Sequence, residues 1–267
     1  MGTARVLLLG DPVAHSLSPA MHNAAFRALR IDAAYEARRV TSAELGAVVQ
    51  ALHREPYLGA NVTIPHKEAV LGLVDRYAEL VERIGAANTL VREGDRLRAE
   101  NTDVGGFREA LSEAGVAVAG KRALLLGAGG AARAVAAALR DLDASLDVAA
   151  RRVEQARELV ARIGGGRLEA RTWPRDLDRY DLVVNATPLG LHGEDPLAGV
   201  ALRAGQTIVD LVPLVRETPL VRRARSAGCV TVDGLPMLLH QAAASFRLWT
   251  GRDAPIDVMR CALVAAV

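Results

Sequence analysis

Cysteine is nearly absent from this sequence: Cys229 and Cys261 are the only two in 267 residues, and they form no closely spaced pair. Such usage suits a reducing cytoplasm and offers no disulfide framework. The six histidines show neither HxxxH nor HExxH spacing, so no structural or catalytic metal is expected. Long apolar runs are also missing, since none approaches the ~20 residues that a membrane-spanning helix needs. Residues 1–10 pass straight into an apolar strand-like run, without a signal peptide's cleavage region. Blocks of like charge are missing as well. The 33 Lys and Arg against 31 Asp and Glu leave a formal charge of +2, scattered along the chain, with no footprint for DNA or RNA. There are no repeats and no low-complexity linker. The expectation is a cytoplasmic protein acting on a small molecule, with no nucleic-acid and no membrane partner; a homodimer is left open.

Lysine is scarce in a telling way. Of the 33 basic residues only Lys67 and Lys121 are lysine, and the rest are arginine. In a chain that so prefers arginine, each surviving lysine is informative, because lysine gives up its proton far more readily.

What is present is ample apolar material, 51% of the chain, enough for one large domain or two ordinary ones. Residues 123–139, ALLLGAGGAARAVAAAL, organise the rest. A short apolar run ends in Gly127-Ala128-Gly129-Gly130, and an alanine-rich helical stretch follows at once. Gly127 can make a tight turn, Gly129 permits close approach, and Ala132 supplies the third small position of a dinucleotide fingerprint. The spacing therefore predicts a strand, a phosphate-binding turn and a helix whose N-terminus faces a pyrophosphate.

Before this stretch, strands are expected over 5–10, 35–40 and 59–64, and helices over 19–30, 41–54 and 66–74. Ser18 reads as the N-cap of the first helix, ahead of Pro19. A hairpin is expected over 88–99, turning at Glu93-Gly94-Asp95. A helix over 103–114 leads to the glycine-loop strand. Beyond it, short apolar runs at 146–150, 181–185, 207–211 and 230–232 alternate with helical stretches at 153–163 and 218–227. This alternation predicts a doubly wound parallel sheet. Two further helices, 237–250 and 256–266, follow Gly234-Leu235-Pro236.

In dinucleotide folds an acidic residue about 20 positions past the glycine loop binds the ribose of NAD. Here that strand tip reads Ala150-Arg151-Arg152. A guanidinium there can pair with a 2′-phosphate, which points to NADP. In the other half, Lys67 falls in the first turn of the expected 66–74 helix, where a cation meets the positive end of the dipole. That makes it an acid/base candidate as well as an ordinary surface lysine. Asp103 opens a helix, as a cap or as a carboxylate facing a cleft. Ser16 and Ser18, two apart, could direct hydroxyls at one anion.

The segments HSLSP at 15–19, GANVTIPHK at 59–67, GAANT at 85–89, NTD at 101–103, GAGGAAR at 127–133, NAT at 185–187 and DGLPM at 233–237, with Gln241, together resemble the shikimate dehydrogenase family. They occur in the family's order and span nearly the whole chain. The resemblance implies an α/β fold of two domains. One is an N-terminal α/β substrate domain, residues 1–103 completed by C-terminal helices 238–267. The other is a Rossmann-type, doubly wound parallel-sheet NADP domain, residues 104–237. It implies NADPH-dependent, reversible reduction of 3-dehydroshikimate to shikimate, with Lys67 as acid/base beside Asp103. Ser16, Ser18, Thr63, Lys67, Asn88, Asp103 and Gln241 would bind substrate. Gly127, Ala128, Gly129, Gly130, Ala131, Ala150, Arg151, Arg152, Thr187, Leu211, Gly234 and Met237 would line the NADP(H) site. Two positions depart from the family pattern: Pro213 stands where the family has a substrate-binding tyrosine, and Ala150 where it has asparagine. A quinate/shikimate dehydrogenase using NAD, and a non-catalytic NADP-binding sensor on the same fold, are the alternative expectations.

Overall fold

The computed structural model describes residues 3–165, 168–214 and 216–266. Its elements in chain order are β1 (Ala4–Gly10), α1 (Ser18–Ala28), β2 (Ala33–Arg39), α2 (Leu45–Ala51), β3 (Tyr57–Val62), a 3-10 turn (Ala69–Leu73), β4 (Arg76–Tyr77), α3 (Glu79–Ile84), β5 (Thr89–Glu93), β6 (Arg96–Glu100) and α4 (Asp103–Glu113). There follow β7 (Arg122–Leu126), α5 (Gly130–Asp141), β8 (Ser145–Ala149), α6 (Val153–Ile163), β9 (Leu168–Arg171), β10 (Leu182–Asn185), β11 (Thr207–Asp210), α7 (Pro219–Ser226), β12 (Val230–Val232), α8 (Gly234–Thr250) and α9 (Ile256–Ala265). The chain forms two compact units, one from residues 1–106 and 239–267, the other from 107–238. Both divisions fall inside helices, α4 and α8; the resemblance implied boundaries at 103/104 and 237/238.

The discontinuous unit is built on a mixed sheet of order β2-β1-β3-β5-β6-β4. β1 lies between parallel neighbours β2 and β3, and the antiparallel β5–β6 hairpin extends the sheet. The apolar strands are central because both of their faces are covered. Leu7, Leu9, Val62, Leu90 and Leu97 pack with Val48 and Val49 of α2 and with Leu52 just after it. Each fully buried leucine contributes about 1.5–3 kcal/mol relative to exposure. Elsewhere in this unit α1 packs against α9, and His22, Tyr35, Phe246 and Trp249 form an aromatic group.

Several local expectations change here. The helix read over 41–54 is only Leu45–Ala51, because Glu44 accepts hydrogen bonds from the Thr41 amide and hydroxyl (2.9 and 2.8 Å) and holds a turn ahead of it. The 66–74 segment is a turn followed by 3-10 structure, so Lys67 is not in a helix and the dipole argument made for it does not apply. α8 begins at Gly234, three residues earlier than expected. β4, α3 and β9 have no counterpart among the expected elements.

The continuous unit is an all-parallel sheet of order β12-β11-β10-β7-β8-β9. This is the doubly wound order, and its direction of winding reverses between β7 and β10. In such a sheet the crevice for a ligand opens outside the carboxyl ends of those two strands. The glycine loop lies there.

Candidate active site

In the discontinuous unit, the turn after β3 and the hairpin after α3 bring four of the expected substrate residues together. Lys67 Nζ donates to Asp103 Oδ2 at 2.5 Å, with side chains only 13% and 6% exposed. The other Asp103 oxygen accepts from Asn88 Nδ2 at 2.9 Å, and the same nitrogen lies 3.2 Å from Gln241 Oε1. Lys67 is held by its backbone: its carbonyl accepts the Ala87 amide (2.8 Å), while the buried His66 ring pairs with the Val40 carbonyl (2.6 Å). An ammonium this enclosed beside one carboxylate is oriented rather than merely solvated.

Asp103 does not cap α4. Asn101 Oδ1 takes the Asp103 and Val104 amides (3.0 and 3.3 Å), which leaves both Asp103 oxygens for Lys67 and Asn88. Ser18 is likewise not a cap. It is the first residue of α1, and its amide donates to Ser16 Oγ at 3.3 Å, so the two serines share one turn. Thr63 is half-buried, its amide on the Leu9 carbonyl and its carbonyl accepting from His66. Its place is fixed by these backbone bonds, in the turn that leads to Lys67. Asn61, Thr89, Thr102, Tyr35 and Ser245 surround the site as a buried polar cluster that the sequence reading missed. An asparagine within the otherwise apolar β3 was the available signal.

In the continuous unit, Gly127 turns with φ +110°, and a Cβ there would sit 3.0 Å from the Ala186 carbonyl oxygen. A Cβ at Gly129 would meet no protein atom within 4 Å, so the space before α5 is open. Gly129 flanks the helix, whose first amides at Gly130, Ala131 and Ala132 precede the first intrahelical bond, from the Arg133 amide to the Gly129 carbonyl (3.0 Å). That donor set fits a pyrophosphate. Ala128 lies between these glycines in the same loop. Arg151 and Arg152 are exposed just past β8, beyond the buried Ala150.

The neighbouring strand tips are tied by one polar group. Asn185 Nδ2 donates to Asp210 Oδ1 (2.9 Å), while its oxygen accepts the Thr187 amide and hydroxyl (3.1 and 2.6 Å). Burial pushes the Asp210 carboxyl up, against donors from Thr218, Val212 and Asn185. Gly234 approaches this loop closely, since a Cβ would stand 2.7 Å from the Leu211 carbonyl oxygen. Leu211 and Gly234 thus approach each other through their backbones, and Met237, in the first turn of α8, is 7% exposed. Pro213, two residues past Leu211, is exposed. Among the described residues no group of three or more His, Cys, Asp or Glu side chains could hold a metal ion, and no helix is long and apolar enough to cross a membrane.

Two families match this chain: the shikimate dehydrogenase substrate binding domain at residues 8–90, and the shikimate 5′-dehydrogenase C-terminal domain at residues 234–263. A shikimate dehydrogenase (NADP(+)) of Moorella thermoacetica is 46% identical, over 96% of this chain and 91% of that protein. A shikimate 5-dehydrogenase of Thermus thermophilus, solved in complex with NADP(H) and shikimate, superposes with a TM-score of 0.87 at 38% identity, over 99% of this chain and 100% of that one. Quinate dehydrogenase from Corynebacterium glutamicum, solved with NAD, superposes with a TM-score of 0.89 at 30% identity, over 99% and 100%. With 46% identity along almost its entire length, the chain belongs to the shikimate dehydrogenase family.

Proposed function

We propose that this protein reduces 3-dehydroshikimate to shikimate with NADPH, reversibly, and that Lys67 is its proton donor. The observation that carries the assignment is the Lys67–Asp103 pair, 2.5 Å long, nearly buried and braced by Asn88. Reduced nicotinamide supplies the hydride when NADP(H) is bound. As the ketone carbon is reduced its oxygen becomes an alkoxide, and a fixed ammonium stabilises that charge before giving up a proton to it. Lys67 Nζ holds that proton, and in the reverse direction it takes one from the hydroxyl. Asp103 keeps the ammonium aimed, through the oxygen that Asn88 leaves to it.

Ser16 and Ser18 offer hydroxyls to the substrate carboxylate, while Thr63, Asn88 and Gln241 bind elsewhere on the ring. On the cofactor side, the first amides of α5 take the pyrophosphate, and Arg151 and Arg152 take the 2′-phosphate that distinguishes NADP. Thr187, Leu211, Gly234 and Met237 complete that pocket. The same reading puts the enzyme in the cytoplasm, where the free thiols Cys229 and Cys261 stay reduced.

Shikimate and quinate, each offered with NADP and with NAD and followed at the nicotinamide absorbance, test the assignment. The expected result is the highest kcat/KM for shikimate with NADP. Preferred oxidation of quinate with NAD would transfer the chain to the quinate branch of the family, and no turnover in any arm would make it a non-catalytic binder.

A further inference from the structure

The polar cluster behind the catalytic pair has a direction that can be read bond by bond. Asn61 is oriented by the Asn88 backbone carbonyl, an obligatory acceptor 3.0 Å away, so its Nδ2 must point there and its Oδ1 must face Tyr35. The Tyr35 phenol then has one role open to it, donating to Asn61 Oδ1 at 2.8 Å. Asn88 is oriented in the same way by an obligatory donor, the Thr102 amide, 2.7 Å from its Oδ1, which turns its Nδ2 toward Asp103.

Between the two amides lie three hydroxyls. The second Asn61 Nδ2 hydrogen is shared between Thr89 Oγ1 (3.0 Å) and Ser245 Oγ (3.1 Å), and Thr89 donates to Asn88 Oδ1 (3.1 Å). Ser245 sends its own proton to the Gln241 carbonyl at 3.0 Å, so its oxygen is an acceptor; with the Thr89 proton committed to Asn88, it takes the Thr102 hydroxyl, 3.0 Å away. The bonds thus run head to tail, Tyr35 to Asn61 to Thr89 to Asn88 to Asp103. Tyr35, Thr89 and Ser245 are 2%, 0% and 0% exposed, so solvent does not replace a lost link.

We propose that Tyr35 and Ser245 are positioning residues for the reaction: through Asn61, Thr89 and Asn88 they fix the Asp103 carboxylate, and with it the proton-donating Lys67, while touching no substrate themselves. The inference rests on the assignment of Lys67 and Asp103 made above. Aligned bonds polarise one another, so a donor chain ending on a carboxylate holds it more firmly than its last link alone. Ser245 performs this from α8, the helix that also carries Gln241, and ties that helix to the strand bearing Asn61.

The test is a pair of double-mutant cycles on the full-length enzyme with shikimate and NADP. Tyr35→Phe removes only the phenol oxygen and keeps the ring; Ser245→Ala removes only the hydroxyl, at a separate link, and serves as the second variant if the first folds poorly. Each is expected to lower kcat about threefold to tenfold, the worth of one hydrogen bond, with KM for NADP unchanged. In an Asp103→Asn background the same substitutions are expected to cost nothing further, because the carboxylate they position is gone. A structural role would lower the thermal midpoint and cost the same factor in both backgrounds, which would overturn the proposal, as would an unchanged kcat in the single variants. Failure of the underlying assignment looks different: there Asp103→Asn by itself would leave kcat near that of the unsubstituted enzyme.

Discussion

At Lys67, exchanging the ammonium for a guanidinium keeps the charge and the donors but removes a transferable proton. Lys67→Arg should lower kcat by roughly 10²–10⁴-fold with little change in NADP affinity, as single-turnover kinetics and a binding titration would report. Retention of most turnover would remove Lys67 as proton donor. Arg151 and Arg152 differ in kind, being exposed at a strand tip. Their joint replacement by alanine should raise KM for NADP by roughly tenfold or more and leave that for NAD unchanged, because only NADP presents the charge they pair with. At this scale the sequence tells more about which residues matter than about why. Lys67 stands out by its scarcity, yet the helix dipole invoked for it is missing, and its backbone is held instead by the Ala87 amide on its own carbonyl and by the bond of the adjacent His66 to the Val40 carbonyl, partners far away in sequence. Asp103 and Ser18 look like caps on local grounds, whereas Asn101 and Ser16 supply those bonds.

Among elements, α1 carries a titrating group in an unusual setting. His22 is fully buried, stacks on Tyr35 at 4.3 Å between ring centroids, and has Phe246 and Trp249 as further ring neighbours. Neither ring nitrogen has a hydrogen-bond partner, and burial lowers its pKa to about 3 from an ordinary 6.5. Between those two values the unfolded chain binds a proton that the native one refuses, so stability falls as pH drops through that window. The slope approaches about 1.4 kcal/mol per pH unit for one such group. His22→Phe keeps a ring in the stack and should flatten that acid limb in chemical-denaturation curves between about pH 6 and 4; an unaltered slope would place the loss in other groups. Elements with a strong period were legible: α6 matches its expected bounds, and β7, the glycine loop and α5 follow from an apolar run meeting alanine. The two-residue β4 and the charged, six-residue α3 were not, since tertiary pairing rather than local pattern makes them.

For the whole molecule, the winding of the second sheet was legible because alternating strands and helices allow few topologies, whereas the mixed sheet of the first unit was not, because its antiparallel hairpin interrupts that alternation. A chain ending at residue 238 lacks Ser245 and also Trp249, whose indole donates to the Leu90 carbonyl at 2.9 Å. Hydrogen exchange on that truncation should show lost protection in β1, β3 and β5 with β7, β8 and β10 still protected; uniform protection would mean that the first unit needs no C-terminal segment. The discontinuity has a consequence during synthesis. A ribosome delivers residues 1–106 long before 239–267, so the earlier half of the protein must wait for the last residues to be made, while the contiguous half can finish beforehand. The usual order of maturation is thereby inverted, and in the interval the Asn61 side chain of β3 and the Leu90 carbonyl of β5 lack their partners Ser245 and Trp249.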